Sequence, residues 1–171
     1  MKVMGIDAST TATGYSIFDN GELVAFGCIK PKGDWRERIM DESKTLKQII
    51  EHYAPVKIYM EDVPLKGGNS TLMKLGAVQG CVLGVAASYG VEIEFLLPAT
   101  WRSPLGLFDG TRAGTHRDVL KEKAIQMANK EFGLKLIWNG PKSKKTEDDV
   151  AEAILIAYSQ IKKRRISRKS R

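Results

Sequence analysis

Cysteine is nearly missing: Cys28 and Cys81 stand alone, one in a strand-like run and one in an apolar helical run. Two isolated thiols exclude a disulfide framework and a cysteine-based metal site, which predicts a reducing, cytoplasmic setting. No stretch has the charged, apolar and small-residue sequence of a signal peptide or the expected length of a membrane span. No internal repeat is visible. A second Gly-rich phosphate motif is also missing, which weighs against a two-lobed ATPase of the actin and sugar-kinase type.

Net charge is absent from most of the chain too. Of 27 basic and 20 acidic residues, seven basic ones (Lys162, Lys163, Arg164, Arg165, Arg168, Lys169 and Arg171) fall in the last ten positions, so residues 1–161 are neutral overall. The expected division is one globular domain over 1–161 and a basic C-terminal tail over 162–171, since 171 residues, 43% hydrophobic, suffice for one sizeable core. A neutral body with a basic tail suits an anionic partner, because neutralising phosphates releases condensed counterions. A merely solubilising tail is the alternative.

Lys2 to Ile6 is an apolar run that stops at Asp7, and Gly14 to Phe18 and Leu23 to Ile29 follow, with Asp19-Asn20-Gly21 as a turn signal between them. The pattern predicts a three-stranded meander. From Trp35 to Tyr53 the spacing of Leu46, Ile49, Ile50 and Tyr53 predicts a helix closed by Pro55. Lys57 to Met60 gives a fourth strand ending at Glu61. Thr71 to Ser88 has almost no polar face, with Gly76, Gly80 and Gly84 four apart, and reads as a buried central helix. Glu92 to Leu97 is a fifth strand, and Ala99 to Gly114 a long connection. Thr115 is the expected cap of a helix with Leu120, Ala124, Met127 and Ala128 on one face, ended by Gly133. A polar loop through Lys142, Lys144 and Lys145 precedes a last helix from Glu147 to about Lys162. The fold class is α/β, a mixed five-stranded sheet with helices on both faces; propensity leaves the strand order open.

Asp7 and Glu61 each close an apolar strand with no nearby basic residue to account for them, and ligands collect at the carboxyl ends of parallel strands. Asp149 and Glu152 are three apart, sharing a face where an apolar helix enters the protein. Taken singly, each carboxylate has an ordinary explanation as a cap or turn residue, and Glu147 and Asp148 are expected as surface caps of the last helix. Caps do not explain Glu61 or Glu152. If the first and fourth strands are adjacent and parallel the four carboxylates converge, and such a cluster calls for cations; hard divalent ions with oxygen ligands, Mg²⁺ or Mn²⁺, suit it.

Together, Met4-Gly5-Ile6-Asp7-Ala8-Ser9 with Thr13-Gly14-Tyr15, Tyr59-Met60-Glu61-Asp62-Val63, Lys74-Leu75-Gly76 through Gly80, and Asp149-Val150-Ala151-Glu152-Ala153-Ile154 resemble the RuvC-type Holliday junction resolvases over most of residues 1–160. The basic tail looks like that of phage-encoded members. The resemblance implies an RNase H-like fold, a homodimer acting on branched DNA such as four-way junctions, paired symmetric nicks, and residence in the cytoplasm of a bacterial or phage-infected cell. It also implies two ions per site, with Asp7 bridging, Glu61 and Glu152 holding one each, and Asp149 completing the shell. The family often has Asp where Glu152 stands, Asp148 offers another register, and Pro64-Leu65 occupy the place of an aromatic that meets an unstacked base. Arg102 and the pair His116-Arg117 resemble positions of active-site lysines. With Lys74 and Arg112 they form the expected DNA-binding set. The competing readings are an RNase H-like nuclease on another nucleic acid, a non-catalytic DNA-binding module, and the ATPase already weighed.

Overall fold

Five strands form one mixed sheet in the computed structural model, which describes the backbone of residues 1–63, 68–141 and 143–169 and side chains as far as residue 163. Pro64, Leu65 and Lys142 lie outside the described residues, as do the side chains of Arg164, Arg165, Arg168, Lys169 and Arg171. The strands are β1 (Lys2–Ala8), β2 (Thr13–Asp19), β3 (Glu22–Ile29), β4 (Lys57–Glu61) and β5 (Glu92–Leu96). Their spatial order is β3-β2-β1-β4-β5. The first three make the expected antiparallel meander, with Asn20 and Gly21 at positive φ in the tight turn. β4 adds to β1 in parallel, Ile6 facing Met60, and β5 adds to β4 in parallel. The carboxyl ends of β1 and β4 are therefore neighbours.

The helices are α1 (Trp35–Tyr53), α2 (Asn69–Ser88), α3 (Pro98–Arg102), α4 (Arg117–Phe132) and α5 (Asp148–Lys169). Strand alternation divides the core. Met4, Ile6, Ile17, Ile58 and Met60 point to the face that packs Leu46 and Ile50 of α1 and Val82 and Ala86 of α2. Val3, Phe18, Tyr59 and Leu96 point to the other, where Trp101, Ala124, Ile154 and Leu155 meet them. α5 is buried nearly all round from Val150 to Ala157, which explains its unbroken run of small and aliphatic residues.

Five local expectations are corrected. α2 is not a buried central helix: only Val78, Val82 and Ala86 are buried, Met73 and Leu83 are exposed, and nothing approaches Gly76, Gly80 or Gly84. Its apolar circumference also makes it, among the described residues, the one helix long and apolar enough to cross a membrane, where none was expected. The connection from Ala99 to Gly114 is partly helical, holding α3 and two short 3-10 turns, Ser103–Leu105 and Ala113–Thr115. His116, not Thr115, is the N-cap position of α4; the Thr115 hydroxyl donates to the Arg112 carbonyl instead. α5 continues to Lys169, so the basic segment extends that helix.

Candidate active site

Asp7 lies two residues beyond Gly5, and Glu61 two beyond Tyr59, so alternation aims both at the face covered by α5. Gly5 and Gly14 decide how near that helix comes. A β-carbon on Gly5 would overlap the Ala153 carbonyl, and one on Gly14 the Asp149 carbonyl. Because Gly5 and Gly14 present no side chain there, the helix backbone rests on the sheet, held by the Ser16 hydroxyl donating to the Ala153 carbonyl at 2.9 Å. Asp149 and Glu152, at the entry of α5, are thereby brought to Asp7 and Glu61.

The electrostatics record this convergence. The Asp7 carboxyl is pushed well above the usual carboxylate range, first by burial and then by Glu152, Glu61 and Asp149 in turn. Burial, with Asp148 and Glu152 adding to it, pushes Asp149 up to about 6. Burial also raises Glu61, against the pull of Arg102.

Two cations sit within the cluster. Arg102, at the end of α3, pairs with Glu61 at 3.2 Å and with Glu152 at 2.6 Å. Lys121 of α4 pairs with Asp148. Asp148 is thus buried and ion-paired, not the expected surface cap. Nor does Glu147 cap α5; its carboxylate accepts from the Ile137 N–H at 2.9 Å. Trp101, fully buried, donates its indole N–H to Glu61 Oε2 at 2.6 Å.

Of the expected DNA-binding residues, Arg102 lies inside the cluster. Arg117 is exposed at the start of α4, and its charge reaches Glu61. Arg112 and His116 are exposed beside it but form no ion pair with the carboxylates, and Lys74 is half-buried on α2. Three neighbours escaped the sequence reading: Lys121, Trp101 and Lys30. Lys121 carried a signal, being four residues after Arg117 on the same helical face. Lys30 follows the end of β3, which runs parallel to β1, and its charge reaches Asp149. Trp101 carried none beyond its adjacency to Arg102.

Among the described residues no three His, Cys, Asp or Glu side chains stand in an arrangement that would already hold a metal ion. The donor set nevertheless fits hard divalent cations: Asp7, Glu61, Asp149 and Glu152 are four carboxylates, all oxygen donors, and Asp7 is buried among like charges.

The family model described as crossover junction endodeoxyribonuclease RuvC matches residues 3–105, from Val3 of β1 to Leu105, just beyond Arg102. The chain belongs to the RuvC family. Among curated RuvC proteins, that of Nitratidesulfovibrio vulgaris is 28% identical, the alignment covering 97% of this chain and 93% of the relative. The RuvC of Chlorobium chlorochromatii is 29% identical over 94% of this chain and 79% of its own length. The structure of T. thermophilus RuvC in complex with a Holliday junction superposes with a TM-score of 0.74 at 20% identity, covering 97% of this chain and 96% of that one. The fowlpox virus resolvase bound to Holliday junction DNA gives 0.59 at 14% identity over 95% of this chain and 98% of that one. These two likenesses establish the fold, the RNase H-like sheet of RuvC with helices on both faces.

Proposed function

We propose that this RuvC protein is a structure-selective endonuclease that resolves four-way DNA junctions by paired, symmetric phosphodiester hydrolysis dependent on Mg²⁺, with Mn²⁺ able to substitute. The observation that carries the reading is the Asp7 carboxyl, raised first by burial and then by three other carboxylates from β4 and α5. Asp7, Glu61, Asp149 and Glu152 would hold two divalent ions. Bound there, the ions supply an activated water and a counter-charge for the leaving 3′ oxygen. Asp148, whose partner is Lys121, is left out of this ligand set. Arg102 and Arg117 supply positive charge where negative charge grows on the scissile phosphate, and Lys74, Arg112 and His116 belong to the wider DNA surface. The basic segment over 162–171 adds sequence-independent attraction to the backbone. Work on bacterial or phage DNA places the enzyme in the cytoplasm.

A four-way junction has two strands to cut, which calls for two active sites. The exposed apolar side of α2, with Met73, Leu83 and the open Gly76, Gly80 and Gly84, fits a second copy of the chain, since large apolar surfaces on soluble chains are covered by partners.

The test is incubation with a mobile four-way junction, a linear duplex and an RNA–DNA hybrid, each with Mg²⁺ or EDTA. Metal-dependent paired nicks on the junction alone are expected. Equal cutting of linear duplex, or cutting of the hybrid alone, would overturn the junction reading.

A further inference from the structure

Arg102 is held in an unusual way for a residue whose task is to meet a phosphate. One arm of its guanidinium reaches Glu61 Oε2 at 3.2 Å and the other reaches Glu152 Oε1 at 2.6 Å. These carboxylates belong to different elements, the end of β4 and the first turns of α5, so the arginine ties the two halves of the cluster together. A guanidinium binds best when both arms meet one carboxylate; here each carboxylate receives one arm. Its Nε is buried and has no hydrogen-bond partner among the described residues, and a buried donor left unpaired costs free energy. The flat cation stacks on the Trp101 ring, 4.2 Å from its centre. The same indole donates to Glu61 Oε2, holding that carboxylate in place independently of Arg102.

We infer that Arg102 is an internal competitor for the divalent ions that Glu61 and Glu152 would hold, displaced when they bind and thereby released to the phosphate. The inference rests on the metal-centre reading proposed above. Glu61 Oε2 and Glu152 Oε1 cannot serve the guanidinium and a divalent ion at once without holding like charges a few ångströms apart in a mostly buried site. Trp101 supplies a platform that keeps the displaced guanidinium at the centre, and cation–π attraction does not depend on the carboxylates. Metal and DNA then favour each other: the ion frees the arginine, and a phosphate holding the arginine leaves the carboxylates to the ion.

The experiment is calorimetric titration of Mg²⁺ into the full chain, without DNA, for the wild type, Arg102→Ala, Arg102→Lys and Asp7→Asn. The indole N–H resonance of Trp101 is followed in parallel as a reporter on Glu61. Arg102→Ala is expected to bind Mg²⁺ about tenfold more tightly. Arg102→Lys keeps the charge but loses the two-armed bridge, and should also bind several-fold more tightly. In both, the Trp101 resonance should move at lower Mg²⁺ than in the wild type. An alanine variant that tightens while the lysine variant matches the wild type would reduce the effect to through-space charge and overturn the inference. Unchanged affinity in both variants would overturn it as well. The metal-centre reading fails separately, and this inference with it, if the wild type shows no saturable Mg²⁺ binding that Asp7→Asn removes.

Discussion

Gly14 on β2 faces the backbone carbonyl of Asp149 so closely that no side chain could stand between them. The pairing of Asp7 with Gly14 across β1 and β2 puts this contact beside the candidate catalytic carboxylate. The site therefore depends on a missing methyl group as much as on any acid.

Gly14→Ala should displace the entry of α5. Overpacking of this kind costs about 1–3 kcal/mol, and a shift of about 1 Å in Asp149 is expected to lower the cleavage rate on the order of 100-fold. Urea unfolding together with single-turnover cutting of a four-way junction checks both; a variant with wild-type rate would show that the close contact does not place Asp149.

Asp7→Asn should abolish cutting, leave junction binding nearly intact and stabilise the metal-free protein. Burial and three neighbouring carboxylates raise the folded-state pKa of Asp7, so its ionisation opposes folding increasingly as pH rises above the usual value of 3.8. In EDTA the gain should grow as pH rises above the usual carboxylate range and be largest near pH 8, read by thermal or chemical denaturation. Loss of stability would mean that the carboxylate is structural.

Glu42 of α1 is a second buried acid, 1% exposed, accepting a hydrogen bond from Thr13 Oγ1 at 2.7 Å. Burial pushes it up to about 7 from the usual 4.5. Between those values the folded chain keeps a proton that the unfolded chain releases, so this group's contribution to stability falls as pH rises through that window. Glu42→Gln should be nearly neutral at pH 4.5 and stabilise by up to ~3 kcal/mol at pH 8. Equal effects at both pH values, measured in denaturant, would contradict the assignment.

Leu83→Asp, on the exposed side of α2, should leave the monomer fold intact and weaken self-association at least tenfold in sedimentation. Burying an unpaired carboxylate between two copies is unfavourable by more than the about 1.4 kcal/mol that a factor of ten requires. An unchanged sedimentation profile would move the interface elsewhere.

Much of this was legible in the linear chain because it is governed by neighbours. Short apolar runs bounded by turn signals marked β1 to β5, the 3.6 spacing of Leu46 and Ile50 marked α1 with its observed ends, and the acidic closures of β1 and β4 marked Asp7 and Glu61 as candidates. What escaped depends on residues far apart in sequence. The apolar composition of α2 looked the same whether its glycines met the sheet or faced outward. Asp148 read as a cap because its partner, Lys121, is 27 residues away. The extension of α5 to Lys169 ran against a run of like charges that suggested a tail.

By itself, then, the amino-acid order determined the five strands, the long helices and the fold class, and named the candidate acids, since apolar runs, helical spacing and strand-end chemistry are local properties. Only the tertiary structure decided which acids face one another, that Arg102 and Trp101 stand among them, and which side of α2 is left uncovered. Those are matters of packing between distant segments, set by parallel pairing of β1 with β4 and by the close seat that Gly5 and Gly14 give α5.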